Sequence, residues 1–190
     1  MYNFYKSTSP ISIRSAFATQ LLLWRDLAHN EWREHFGYLA VRDGALCIPV
    51  TSIGTSNSVY RSYDGCADDP SSATTIHTHP GAEMTPSDTD IINTARAGQR
   101  YSLVAGRSGL WVVKVMDELI RDGTALFDRG TQEYSIFRCA ENEYEDNYRD
   151  APDKGALSRE FRITVNDNIA FFKIYHYSWA DVESVALANA

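Results

Sequence analysis

Residues 74–98 carry the sharpest punctuation in the chain and dictate a strand, a loop and a helix in that order. β-Branched side chains dominate residues 74–78, interrupted only by His77, and such side chains favour extended backbone. Pro80 cannot donate to a ladder and stops the strand. Pro86 and Ser87 then open residues 88–97, which Gly98 closes in the manner of a helix C-terminal glycine.

Two hairpins flank this unit. Residues 36–41 and 45–53 are apolar runs around Arg42-Asp43-Gly44, and residues 101–105 and 110–116 are apolar runs around Gly106-Arg107-Ser108-Gly109. Residues 59–63 read as a further strand before a polar loop, making about six strands. Phe17, Leu21, Trp24 and Ala28 recur at helical spacing, so residues 15–29 are predicted to form a helix with one apolar face. The expected fold is mixed α/β (α+β), a central and mostly antiparallel sheet flanked by the first helix and the helix after Ser87. A length of 190 residues fits one domain, 1–190, and no repeat or linker divides it. Residues 141–153 hold six acidic side chains against Arg149 alone and read as a solvated loop, with a partner-facing surface as the alternative. The aromatic tail, residues 161–190, reads as a strand or helix laid on the core.

Composition narrows the function classes. The apolar runs 20–24 and 110–113 fall far short of the ~20 residues that cross a bilayer, so no membrane association is expected. Lys plus Arg number 18 against 25 Asp plus Glu, and a net charge of −7 disfavours nucleic acid as a partner. Cys47, Cys66 and Cys139 form no CxxC pair and suggest a reducing compartment. With no secretory signal at the N-terminus, a cytoplasmic location is expected. Cys47 reads as a small core residue, and Cys66 as a residue of a polar loop.

The chemistry lies in the same segment that dictates the fold. Residues two apart in a strand face one way, so His77 and His79 present both imidazoles to one side. Two imidazoles and one carboxylate leave a fourth tetrahedral position open, the arrangement of a catalytic zinc. Asp90, in the first turn of the next helix, is the candidate third ligand. Such an ion lowers the pKa of a bound water to about 7 and polarises a carbonyl. Ser87, at the positive end of a helix, is placed to donate to an oxyanion. Ser87-x-x-Asp90 also reads as a capping box. Ser87 can serve both purposes, whereas Asp90, turned toward a cation, is expected to leave the cap. Without Pro80, Ser87 and Asp90, the two histidines would read as a polar edge or a satisfied pair.

The run His77-x-His79-Pro80, six residues, Ser87, two residues, Asp90 resembles the signature of the JAMM (MPN+, JAB-domain) zinc metalloproteases. The resemblance covers about residues 15–116 and leaves 117–190 as an unassigned extension. It implies a JAB/MPN-type, cytidine-deaminase-like fold, with Zn2+ held by His77, His79 and Asp90 and with Ser87 assisting at the tetrahedral intermediate. The family's upstream glutamate precedes a strand of Gly and apolar residues. Glu34-His35-Phe36-Gly37-Tyr38-Leu39-Ala40 fits that pattern, so Glu34 resembles the general base and Glu31 is the fallback. Ala40 and the long loop 55–72 depart from the family pattern. His29, Glu34 and His35 do not make an inverted zincin motif, because four residues separate the first two; His35 and His176 read as structural. The implied activity is hydrolysis of a peptide or isopeptide bond in a protein substrate, such as one at the tail of a ubiquitin-like protein. The alternatives are a non-catalytic MPN-fold scaffold and a toxin-associated or RadC-like JAB domain.

Overall fold

Runs such as 101–105 and 110–115 are apolar at nearly every position, which is what strands covered on both faces require. A computed structural model describes residues 3–4, 18–43, 45–60, 73–80 and 85–188. The elements in chain order are β1 (Asn3–Phe4), α1 (Ala18–Asn30), β2 (His35–Tyr38), β3 (Ala40–Arg42), β4 (Ala45–Cys47), β5 (Val50–Ile53), β6 (Thr75–Thr78), α2 (Asp88–Arg96), β7 (Tyr101–Ala105), β8 (Leu110–Val115), α3 (Asp117–Asp122), α4 (Gln132–Tyr148), α5 (Lys154–Asn168), β9 (Phe172–Tyr177) and α6 (Trp179–Ala188).

Six strands form one sheet in the order β5-β2-β6-β7-β8-β9, and β1, β3 and β4 form a second, smaller one. Within the large sheet only β6 and β7 run parallel, joined by α2 as crossover. Alternation along β8 supplies both cores. Leu110 and Val112 pack with Leu21, Trp24, Trp179 and Val182 on the α1 and α6 face. Trp111 and Val113 pack with Ile91, Phe137, Phe161 and Phe172 on the face of α2, α4 and α5. Trp111 is fully buried and meets Tyr144 and Phe161 edge to face at 6.0 and 5.7 Å. Burying a side chain of this kind stabilises the fold by roughly 1.5–3 kcal/mol.

The expected mixed α/β architecture, mostly antiparallel, is present, and several details differ. In α1, the apolar face is Ala18, Leu21, Trp24 and Ala28; Ser15 and Phe17 lie outside the described residues. The first hairpin turns at Asp43, whose φ of 53° an Asp tolerates, but it divides between two sheets. After Tyr38 the chain leaves β2 for β3, and after Ile48 and Pro49, which lacks a donor, it returns as β5 beside β2. Val59 and Tyr60 are not in a strand, and residues 61–72, including Cys66, lie outside the described set. The largest correction is at residues 141–153. Their first eight residues complete α4, because Phe137, Ala140, Tyr144 and Tyr148 recur at helical spacing and bury a stripe that the acidic count conceals. The aromatic tail enters the sheet as edge strand β9, paired along β8. Cys47 is half-buried beside the smaller core, and its thiol donates to the Ala40 carbonyl at 3.4 Å.

Gly37 is demanded by packing. A Cβ there would sit 2.3 Å from the Pro49 carbonyl oxygen and 2.6 Å from the Trp24 ring. The absence of a side chain lets α1 lie close against β2, and a bulge between Phe36 and Gly37 adjusts the register with β5. No described helix is long and apolar enough to cross a membrane.

Candidate metal centre

A parallel β-α-β step in an open sheet leaves a crevice at the carboxyl end of its first strand, facing the N-terminus of the crossover helix. Here that crevice holds His77, the adjoining His79 and Asp90. Nε2 of His77 lies 3.0 Å from Nε2 of His79 and 3.0 Å from Oδ1 of Asp90. Nε2 of His79 lies 3.3 Å from Oδ2 of Asp90. All three donor atoms fall within 4.8 Å of one another, the only such group among the described residues. A tetrahedral ion with bonds of about 2.0 Å separates its ligand atoms by about 3.3 Å, so the three groups could hold a metal ion.

The surroundings orient the donors. Nδ1 of His79 is 3.0 Å from the Thr85 carbonyl, which can only accept, so this nitrogen carries a proton and Nε2 is the atom turned toward the other two groups. Asp90 is held at both oxygens. Burial alone would raise its pKa, but the charge attraction and hydrogen bonds of His77 and His79 together hold it well below the usual carboxylate range.

Asp90 also stays in the cap, contrary to the sequence-based expectation. The Ser87 backbone N–H donates to its Oδ2 at 2.8 Å, while the Asp90 N–H donates to the Ser87 hydroxyl at 3.2 Å. A carboxylate has two oxygens and several lone pairs, so Oδ1 faces His77 while Oδ2 serves the cap and His79. The Ser87 hydroxyl donates to the same Oδ2 at 2.8 Å, which engages the proton assigned to an oxyanion.

Glu34 stands where the register puts it. Phe36 pairs with His77 across the β2–β6 ladder, so two residues further on Glu34 falls opposite His79 and on the same face. Its backbone is clamped to the loop after β5, through the Glu34 N–H to Thr55 and the Gly54 N–H to the Glu34 carbonyl. Glu34 is 6% exposed and lines the same cleft as His77, His79, Ser87 and Asp90, a cavity of about 360 Å3. Glu31 is not among the cleft residues; its Oε2 pairs instead with Nε2 of buried His35 at 3.1 Å. His176 packs on Trp111 and His29 bonds the Arg25 carbonyl, and neither lines the cleft.

Comparison with family models, curated proteins and solved structures finds no match to this chain.

Sequence reasoning missed the walls of the cleft. Arg138, Glu141 and Glu145 of α4 form one side, where Arg138 pairs with Glu141 and stands 4.0 Å from Asp88. Their spacing of three and four places them on one helical face, a signal available only once the stretch is read as helix. Thr75, Thr94 and Ser102 line the inner end, each nearly fully buried.

Proposed function

We propose that this chain is a zinc-dependent hydrolase of amide bonds, with His77, His79 and Asp90 as ligands and Glu34 as proton carrier, in the manner of the JAMM metalloproteases that its motif resembles. One observation carries the reading: three donor atoms converge at spacings near the edge of a tetrahedron, in a cleft that also holds a buried carboxylate outside the trio. The ion, when bound, supplies Lewis-acid polarisation of the scissile carbonyl and makes hydroxide available near neutral pH.

The chain's own residues do the rest. Glu34, anchored through its backbone at the mouth of β2, takes the proton from the attacking water and delivers it to the departing amine. The Thr85 carbonyl fixes the tautomer of His79, and Ser87 fixes the carboxylate of Asp90, so neither ligand pays reorganisation during turnover. The resemblance extends the substrate to a peptide or isopeptide bond, such as one at a ubiquitin-like tail. Carboxylates at Asp88, Glu141 and Glu145 outnumber the one arginine, Arg138, in the cleft wall, which disfavours a nucleic-acid backbone as substrate.

The test is elemental analysis of protein purified without chelator, together with cleavage of a panel of ubiquitin-like fusions. Wild type should carry about one zinc per chain and cleave. His77→Ala should lose the metal, and Glu34→Gln should keep it while losing cleavage. Equal zinc in wild type and His77→Ala refutes the ligand set, and full activity in Glu34→Gln refutes the base.

A further inference from the structure

The end of β6 that carries the metal centre is spanned by a single side-chain contact. In the large sheet β6 lies between β2 and β7, and both the approach to β2 and the turn after β7 stand at its carboxyl end. Trp32 belongs to the first, two residues before Glu34. Arg107 belongs to the second, two residues beyond Ala105, whose carbonyl accepts from the His79 N–H at 3.0 Å. The guanidinium carbon of Arg107 stands 5.3 Å from the centre of the Trp32 ring, so the two side chains meet across the strand end. Two residues of chain cover at most about 7 Å, which keeps the pair at the rim of the cleft without lining it.

Neither side chain is otherwise engaged. Among the described residues, the Arg107 guanidinium and the Trp32 indole N–H make no hydrogen bond or ion pair, whereas Arg25, Arg100 and Arg138 each pair with a carboxylate. Of the Arg107 side-chain nitrogens only Nε is buried without an acceptor, which leaves the two terminal nitrogens to face water. The turn beneath them is fixed. The Gly106 N–H donates to the Gly109 carbonyl at 3.0 Å, and Nε1 of Trp179 donates to the Gly106 carbonyl at 2.9 Å. Trp32 is 68% exposed, and a tryptophan left in water against an arginine has the composition of an interface anchor.

We propose that Trp32 and Arg107 form a rim site for one carboxylate, the side chain of a glutamate or aspartate that a protein substrate carries a few residues from its scissile bond. Every free polar group of the pair is a donor, so the site calls for acceptors alone. The two oxygens of a carboxylate match the two terminal nitrogens of the guanidinium end-on, and the methylenes beside it find the open part of the indole. A lysine or arginine brings like charge to Arg107. A carboxamide offers one acceptor oxygen and forfeits the charge. A phosphate dianion calls for more than one cation, in a chain whose net charge of −7 already repels it. The placement near a scissile bond rests on the amide-hydrolase reading; the carboxylate chemistry does not.

Binding and cleavage are read separately. The chain has four tryptophans, so 1H–15N spectra of the full chain give four indole peaks, and Trp32→Phe identifies that of Trp32. Blocked hexapeptides of glycine and serine, with one glutamate or with glutamine in its place, are titrated in. The glutamate peptide should move the Trp32 peak, at about tenfold lower affinity in Arg107→Gln, and the glutamine peptide should not. The indole peak of Trp24, which lies in the core, reports that the variant is folded. An unmoved peak, equal shifts with glutamine, unchanged affinity in Arg107→Gln, or tighter binding of inorganic phosphate overturns the carboxylate site. Quenched peptides in which the glutamate is moved one position at a time on both sides of the cleaved bond form the second arm. Glutamate favoured about tenfold over glutamine in kcat/KM at one position, with the preference lost in Arg107→Gln, supports the placement. Cleavage that favours glutamate at no position overturns it. Glutamate binding with no peptide cleaved leaves the rim site standing and brings down the hydrolase reading.

Discussion

Replacing His176 with glutamine should flatten the acid limb of this protein's stability. His176 lies on β9 opposite Trp111, with the two rings 4.2 Å apart, and its Nε2 is buried without a hydrogen-bond partner. The space is tight, since a Cβ on Gly109 would stand 2.5 Å from that nitrogen. Burial pushes the imidazole pKa down from 6.5 to about 4; a hydrogen bond to the Ser108 backbone and the charge of Asp181 oppose the shift, and Arg162 adds to it. The unfolded chain takes up this proton below about pH 6.5, whereas the folded one resists it until about pH 4. The unfolded state thus binds more protons across that window, so stability rises with pH there and is lost on acidification. Relative to pH 7, this one group removes about 2 kcal/mol at pH 5 and about 3 kcal/mol at pH 4. Urea unfolding of wild type and His176→Gln, followed by circular dichroism at pH 7, 6 and 5, measures it. The glutamine variant is compared by slope, so its different baseline stability does not enter. Parallel curves for the two proteins would refute the argument that this imidazole is kept neutral by its surroundings.

Gly37→Ala should cost about 1–3 kcal/mol by forcing Pro49 and Trp24 apart, read as a lower urea midpoint; an unchanged midpoint would mean that β2 gives way freely. Thr131→Ala removes a hydroxyl that accepts from the Tyr134 N–H at 3.2 Å and donates to the Asp128 carbonyl at 2.9 Å. It should cost about 1 kcal/mol at the start of α4, with amide exchange near Tyr134 rising before that of β7.

What could be read in advance followed from local rules. The strand ending at Pro80, the helix between Ser87 and Gly98, and the second hairpin are all settled by near neighbours and came through nearly intact. The placement of Glu34 needed only the pairing of β2 with β6. The rest depended on information that no short window carries. In α4 the acidic side chains outnumber the buried stripe, so composition outvoted periodicity. Sequence spacing offers Asp90 either the cap or the ligand role, whereas the two oxygens of its carboxylate let it fill both positions. Thr75 and Ser102 sit 27 positions apart and look like ordinary strand residues until the parallel ladder sets them side by side.

The double duty of Asp90 constrains how the centre can be silenced. The carboxylate that would grip the cation also closes the first turn of the crossover helix, so truncation to alanine removes ligand and cap in one stroke and confounds lost chemistry with a frayed scaffold. Asparagine keeps an oxygen for the Ser87 amide while surrendering the negative charge. If the proposed hydrolase reading holds, an inert but well-folded version of this protein is therefore reached through Asp90→Asn rather than through alanine.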